Sequence, residues 1–209
     1  MEHPDWIDVD ALQSVIEASV NGENRFLVAI AGPPGSGKST IAENLAQRLG
    51  TSAAVLPMDG FHLENDRLID MGLLHRKGAP ETFDAEGFVE LVESLKDNER
   101  VAYPTFDRVA DRTVPKGGSI EKKTRIILVE GNYLLLNDAP WSKLRHLFDL
   151  TVSLVVDRDE LSSRLTQRWI DHGLSPDAAR ERAEGNDMIN VDTVLNNSLD
   201  PNFILRSGS

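Results

Sequence analysis

Cysteine is absent, which excludes disulfides, thiolate metal sites and cysteine nucleophiles. Basic residues are scarce: 22 Lys and Arg stand against 34 Asp and Glu, a formal net charge of −12, and no basic block stands out. Phosphate-backbone binding needs clustered positive charge, so a nucleic-acid partner is not expected. No run approaches the roughly 20 apolar residues that a membrane-spanning helix requires, so no membrane partner is expected either. The opening residues Met1-Glu2-His3-Pro4-Asp5 form neither a basic-apolar signal nor a transit peptide, and the expected location is the cytoplasm. Repeats, low-complexity tracts and linkers are also missing. At 209 residues, one domain spanning 1–209 is a better expectation than two.

What is present centres on Gly32-Pro33-Pro34-Gly35-Ser36-Gly37-Lys38-Ser39-Thr40, which fits the phosphate-loop pattern G-x-x-x-x-G-K-[ST]. The apolar run 26–31 ahead of it suits a buried parallel strand. Behind it, 38–49 reads as a helix with Ile41, Leu45 and Leu49 on one face and Gly50 as its stop. A strand-to-helix glycine turn lets backbone N–H groups wrap a phosphate at the positive end of a helix. Lys38 is expected to reach the β- and γ-phosphates, and the Ser39 hydroxyl to bind Mg²⁺. An ordinary glycine turn would not require all nine residues to fit in this context, so a nucleoside triphosphate is the expected ligand.

Residues 8–20 have the pattern of an amphipathic helix, with Asp10 as a possible cap and Leu12, Val15 and Ile16 toward the core. A second strand is expected at 53–57, ending in Met58-Asp59-Gly60-Phe61-His62. Active groups in open α/β sheets gather at the carboxyl ends of strands, which places Asp59 to face the γ-phosphate, with a cap or turn Asp as the bland alternative. Residues 64–83 are polar and punctuated. A helix follows with Phe88, Leu91, Val92 and Leu95 in register, and Asp84 suits its N-cap. Residues 101–124 read as an irregular excursion, with a hairpin as one form it could take, and not as a strand of the main sheet. The run 125–131 is a buried strand ending in Glu130, in the place where an acid holds Mg²⁺ directly or through water, a role usually given to Asp. Another buried strand is expected at 150–156. In the helix 159–171, Arg164 and Arg168 share a face, with Glu160 equally well placed for a surface ion-pair ladder. Ser175-Pro176-Asp177 starts a helix ending near 185–187, and 203–205 suits a short last strand.

Alternating strands and helices imply a P-loop NTPase fold of the nucleotide-kinase type: a three-layer α/β sandwich, parallel central sheet, helices on both faces and a helical lid at roughly 159–190. A GTP switch would need an N-K-x-D or T-K-x-D motif, which is missing, and a transport ATPase would need Q-loop or sensor elements. A small-molecule kinase needs an acid near the γ-phosphate and a mobile arginine helix, and Asp59 with the Arg164/Arg168 face supplies both.

From 26 to about 172 the chain resembles the phosphoribulokinase, uridine kinase and pantothenate kinase family. The phosphate loop and Met58-Asp59-Gly60-Phe61 are similar to the family's phosphate loop and its D-G-F or D-S-F motif. Residues 76–84, Arg-Lys-Gly-Ala-Pro-Glu-Thr-Phe-Asp, resemble the R-K-G-x-P-E-S-Y-D segment of bacterial pantothenate kinases, and 128–132 resembles L-E-G-x-N. Asp171-His172-Gly173-Leu174-Ser175-Pro176 and Gly185-Asn186-Asp187 look most like a bacterial branch labelled fructose transport system kinases.

The resemblance implies ATP and Mg²⁺ as cofactors, Asp59 as general base and Arg168 as the lid arginine on the transferred phosphoryl. Phe106, Asp107 and Arg108 match a stretch that touches the acceptor, with His62 and Asp84 nearby. Two departures matter. Asp171 stands where uridine kinases carry another Arg, and Thr105-Phe106-Asp107-Arg108 replaces the acceptor segment of pantothenate kinases. Both argue against uridine and pantothenate, and the likeness to the fructose transport system branch implies a sugar of the fructose type as the expected acceptor. A nucleoside or pantothenate-type kinase stays open as a second reading, and a non-kinase regulator that binds and hydrolyses ATP as a third. The expected partners are ATP and a small hydroxyl-bearing substrate, with a homodimer as one possible assembly.

Overall fold

The segment Phe26–Ala31 is apolar at every position, and only a strand covered on both faces can hide such a run. In the computed structural model, which describes residues 4–22 and 24–206, it is a central strand of a six-stranded parallel sheet. In chain order the strands are β1 (Asp5–Ile7), β2 (Phe26–Ala31), β3 (Ala53–Pro57), β4 (Val101–Asp107), β5 (Arg112–Ile120), β6 (Ile126–Gly131), β7 (Leu150–Val155) and β8 (Phe203–Arg206). The helices are α1 (Val9–Ser19), α2 (Lys38–Leu49), α3 (Asn65–Asp70), α4 (Ala85–Ser94), α5 (Arg158–Asp171), α6 (Pro176–Arg182) and α7 (Met188–Asn197). The main sheet runs β1-β8-β7-β2-β6-β3, every pair parallel. This bears out the parallel α/β architecture.

The two-residue alternation of a strand divides the core into two layers. Leu27, Ala29 and Ala31 of β2 with Ile127 and Val129 of β6 pack beside α4 residues Phe88 and Val92. Val28 and Ile30 with Leu128 and Val152 pack on the other face against Leu12, Ile16, Ala42 and Leu45 of α1 and α2. Fully burying each such aliphatic side chain stabilises the fold by about 1.5–3 kcal/mol. Strands β3 and β6 lie on one side of β2, and β7, β8 and β1 on the other. The chain therefore reverses its direction of winding around β2, and a crevice opens at that strand's carboxyl end.

Several expectations need correction. The cap of α1 is Asp8, whose carboxylate accepts from Ala11 N at 2.8 Å, while Asp10 lies in the first turn and pairs with Arg48. A helix tolerates acids at both places, so spacing alone does not separate them. The stretch 101–120 is an antiparallel hairpin, β4–β5, with a register shift between Tyr103 and Thr105, and it stays out of the main sheet as expected, forming a small sheet of its own. Residues 64–83 contain the short helix α3. The helix expected to stop near 185–187 continues through a turn of π-helix at 183–187 directly into α7. The first strand, β1, was not expected. It is only three residues long and takes its register from β8 through Asp5–Phe203, Trp6–Ile204 and Ile7–Leu205. Of the N-terminal pentapeptide, Met1, Glu2 and His3 lie outside the described residues. No described helix is long and apolar enough to cross a membrane.

Candidate active site

The loop 32–37 joins β2 to α2 and bends through two glycines with positive φ, Gly35 at +81° and Gly37 at +87°. Gly37 is the N-cap residue of α2 in the left-handed region, where a Cβ would be strained. The helix therefore starts without a side-chain cap, its first N–H groups directed at the crevice. Within the loop the Ser36 N–H donates to Pro33 O at 3.1 Å, and the buried Ser36 Oγ has no hydrogen-bond partner.

A cleft of about 470 Å³ opens here, lined by Lys38, Ser39 and Thr40 on one side. Asp59, His62, Arg108, Glu130 and Arg168 also line it, as do Gly78, Asn132, Asp187 and Asn190. Burial lowers the pKa of Lys38, an effect opposed by Glu130 and Asp59. Glu130, the next-to-last residue of β6, is 5% exposed. Burial raises its pKa, opposed by the Lys38 charge and by a hydrogen bond with Ser39.

Asp59 follows β3 on a short 3₁₀ turn, Met58–Phe61. Its neighbour Gly60 is required by close approach: an added Cβ would stand 1.9 Å from Pro104 O. The β4–β5 hairpin thus docks on the Asp59 turn, and Arg108 from the hairpin tip reaches Asp59 Oδ2 through Nη2 at 2.5 Å. His62 stacks on Phe83 at 4.1 Å between ring centroids and lies 4.8 Å from Phe106. Its pKa falls to about 4, first because it is buried, although Asp59 opposes the shift. The buried His62 Nδ1 and Asn132 Oδ1 have no hydrogen-bond partners. Unpartnered buried polar atoms are costly, so three of them in one loop and cleft point to a ligand.

Arg164 donates to Glu160 at 2.8 Å and to Gly35 O at 3.3 Å, so the ion-pair ladder and a contact with the phosphate loop coexist. Arg168 lines the cleft and pairs with Asp187 at 3.1 Å. Asp107 Oδ1 accepts from Val109 N and Ala110 N, both at 3.0 Å, and so shapes the hairpin tip. Phe106 lies under Lys77 Nζ, 5.1 Å from the ring centroid. Asp84 is exposed, caps α4 by accepting from Gly87 N, and lies outside this cleft, in a neighbouring groove that shares Phe83.

Five cleft residues were not singled out from the sequence: Gly78, Phe83, Asn132, Asp187 and Asn190. The 76–78 segment clasps the π turn, with Arg76 donating to Asn186 at 2.7 Å and to Asn190 at 3.3 Å, and Asn186 donating back to Lys77 O at 2.9 Å. The motif 76–84 and the Gly-Asn-Asp at 185–187 were both visible. Their pairing across some 110 positions was not.

The chain is similar to proteins already known. The sequence model of the phosphoribulokinase/uridine kinase family matches residues 27–196. A candidate uridine kinase of Schizosaccharomyces pombe is 36% identical over 99% of this chain and 93% of its own length. A pantothenate kinase of Lactococcus lactis subsp. cremoris is 32% identical over 69% of this chain and 47% of its own. The crystal structure of a candidate fructose transport system kinase from Silicibacter sp. TM1040 superposes with a TM-score of 0.90 at 43% identity, covering 95% of this chain and 98% of that one.

Proposed function

The chain belongs to the phosphoribulokinase/uridine kinase family of ATP-dependent small-molecule kinases, and from that premise we propose that its acceptor is a sugar of the fructose type. The likeness to the Silicibacter protein supports the sugar. The observation that carries the catalytic reading is the cleft itself, which gathers Lys38, Ser39, Glu130, Asp59 and Arg168 at the carboxyl end of the parallel sheet.

In this reading Lys38 and the loop N–H groups hold the β- and γ-phosphates of ATP, and Arg164 steadies the loop through Gly35 O. Asp59 takes the proton of the acceptor hydroxyl as that oxygen bonds to the γ-phosphorus and the bond to the β–γ bridging oxygen breaks, releasing ADP. Arg168 stabilises charge on the group in transit. The Ser39 hydroxyl and Glu130 carboxylate are hard oxygen donors and fit Mg²⁺. Among the described residues no cluster of three or more His, Cys, Asp or Glu could hold a metal, so Ser39 and Glu130 would supply only part of the ligands. When bound, Mg²⁺ would neutralise phosphate charge.

The test is a screen of ADP release across sugars, nucleosides and pantothenate at saturating Mg·ATP. Sugar-dependent release supports the proposal. Release that is strongest with a nucleoside or pantothenate replaces the sugar, and slow release indifferent to every acceptor fits an ATP-hydrolysing regulator instead.

A further inference from the structure

Asp59 and Arg108 are each other's only ion-pair partner among the described residues. The contact uses one oxygen and one nitrogen: Arg108 Nη2 meets Asp59 Oδ2, while Asp59 Oδ1 and the Nε and Nη1 donors of Arg108 have no hydrogen-bond partner among those residues. Arg108 has a side chain 66% exposed against 26% for Asp59, and it stands on a tip held by the Asp107 turn and by the close contact of Gly60 with Pro104. A guanidinium presents five donors, and two parallel ones form a fork that matches a carboxylate or phosphate.

The other charges of the cleft are already matched. Arg168 is paired with Asp187, and Lys38 faces Glu130 and the phosphate site. Arg108 has Asp59 alone. When Asp59 accepts the hydroxyl proton it becomes neutral, and Arg108 loses its counter-charge at the moment of transfer. An acceptor bearing its own anion replaces that counter-charge, because the anion occupies the open edge of Arg108 while the hydroxyl donates to Asp59 Oδ1.

We propose that the acceptor carries a carboxylate or phosphate a few bonds from the hydroxyl that is phosphorylated, and that Arg108 selects it. The proposal rests on the sugar-kinase reading and narrows it to sugar acids or sugar phosphates. His62 Nδ1 and Asn132 Oδ1 remain for the non-reacting hydroxyls, the groups that a polyhydroxylated acceptor brings.

The experiment compares fructose, fructose 6-phosphate and gluconate as acceptors, with wild type, Arg108→Gln and Arg108→Lys, and measures calorimetric binding of the same compounds in the presence of ADP. Fructose 6-phosphate or gluconate should exceed fructose in kcat/KM by at least about tenfold, a preference that Arg108→Gln abolishes and Arg108→Lys keeps in part. Which anion prevails separates the sugar phosphate from the sugar acid. Fructose turned over as well as both anions would overturn the inference and leave the kinase reading intact. If no compound is phosphorylated but the anions bind wild type and not Arg108→Gln, the anion site stands and the acceptor reading falls. Anion binding indifferent to Arg108→Gln overturns the inference.

Discussion

The Arg168 guanidinium lies 3.1 Å from the Asp187 carboxylate, which is 6% exposed and also accepts from Trp169 Nε1 at 2.5 Å. The residue proposed to stabilise the phosphoryl group is thus held by the π turn that joins α6 to α7. Such insertions occur frequently at functional sites. Asp187→Asn keeps an acceptor for Trp169 but removes the charge that holds Arg168. Hydrogen bonds to charged groups are worth about 1.5–3 kcal/mol, so kcat/KM is expected to fall by roughly 10–100-fold. A lower melting temperature with unchanged kcat/KM would show that the pair serves the fold alone.

A lid must open to release product. Residues 159–190 are therefore expected to gain hydrogen-exchange protection when Mg·ATP is added. Equal protection in both states would count against a lid and leave the Arg164–Glu160 ladder as a static surface feature.

Lys38 lines the cleft with its charge partly desolvated. Lys38→Ala should cost catalysis on the order of 2–4 kcal/mol, roughly 30–1000-fold in kcat/KM, because a charge-assisted contact in the transition state is lost. Thermal stability should not fall, since a desolvated charge is removed. Turnover within about threefold of wild type would contradict the phosphate-loop role.

His62 supplies a pH signature. Its pKa is about 4 against an ordinary 6.5. The unfolded chain thus binds the proton first, so stability contributed by neutral His62 is complete above pH 6.5 and is lost as pH falls toward about 4. The loss reaches about 3 kcal/mol for this group. The His62 imidazole resonances should titrate near pH 4 in NMR. Titration at about 6 or above would mean that the ring is solvated or stabilised as imidazolium.

How much of this was legible follows the range of the interactions. The strand, loop and helix at 26–49 are specified by residues adjacent in sequence, and the observed bounds of β2 and α2 are those expected. β1 could not be read, because three residues gain strand character only from β8, nearly 200 positions away. Asp59 was placed at a strand end by periodicity, but its ion pair depends on the hairpin being docked through Gly60, and the sequence shows that glycine without its neighbour. Asn132 and Asp187 lay inside quoted motifs, yet only the folded cleft shows one as an unpartnered polar atom and the other as the anchor of Arg168.

In the proposed reaction Asp59 accepts the hydroxyl proton during ATP-dependent phosphoryl transfer. Asp59→Asn preserves shape, removes the base and releases Arg108, so the decisive measurement pairs acceptor-dependent kcat with Mg·ATP affinity for this one variant. Loss of a general base typically lowers rate by about 10²–10⁴, and kcat should fall by that order. Mg·ATP affinity should hold or improve, because a negative charge facing the phosphates has gone. Unchanged acceptor-dependent turnover would contradict the account, and loss of Mg·ATP binding would make Asp59 a metal ligand in place of a base.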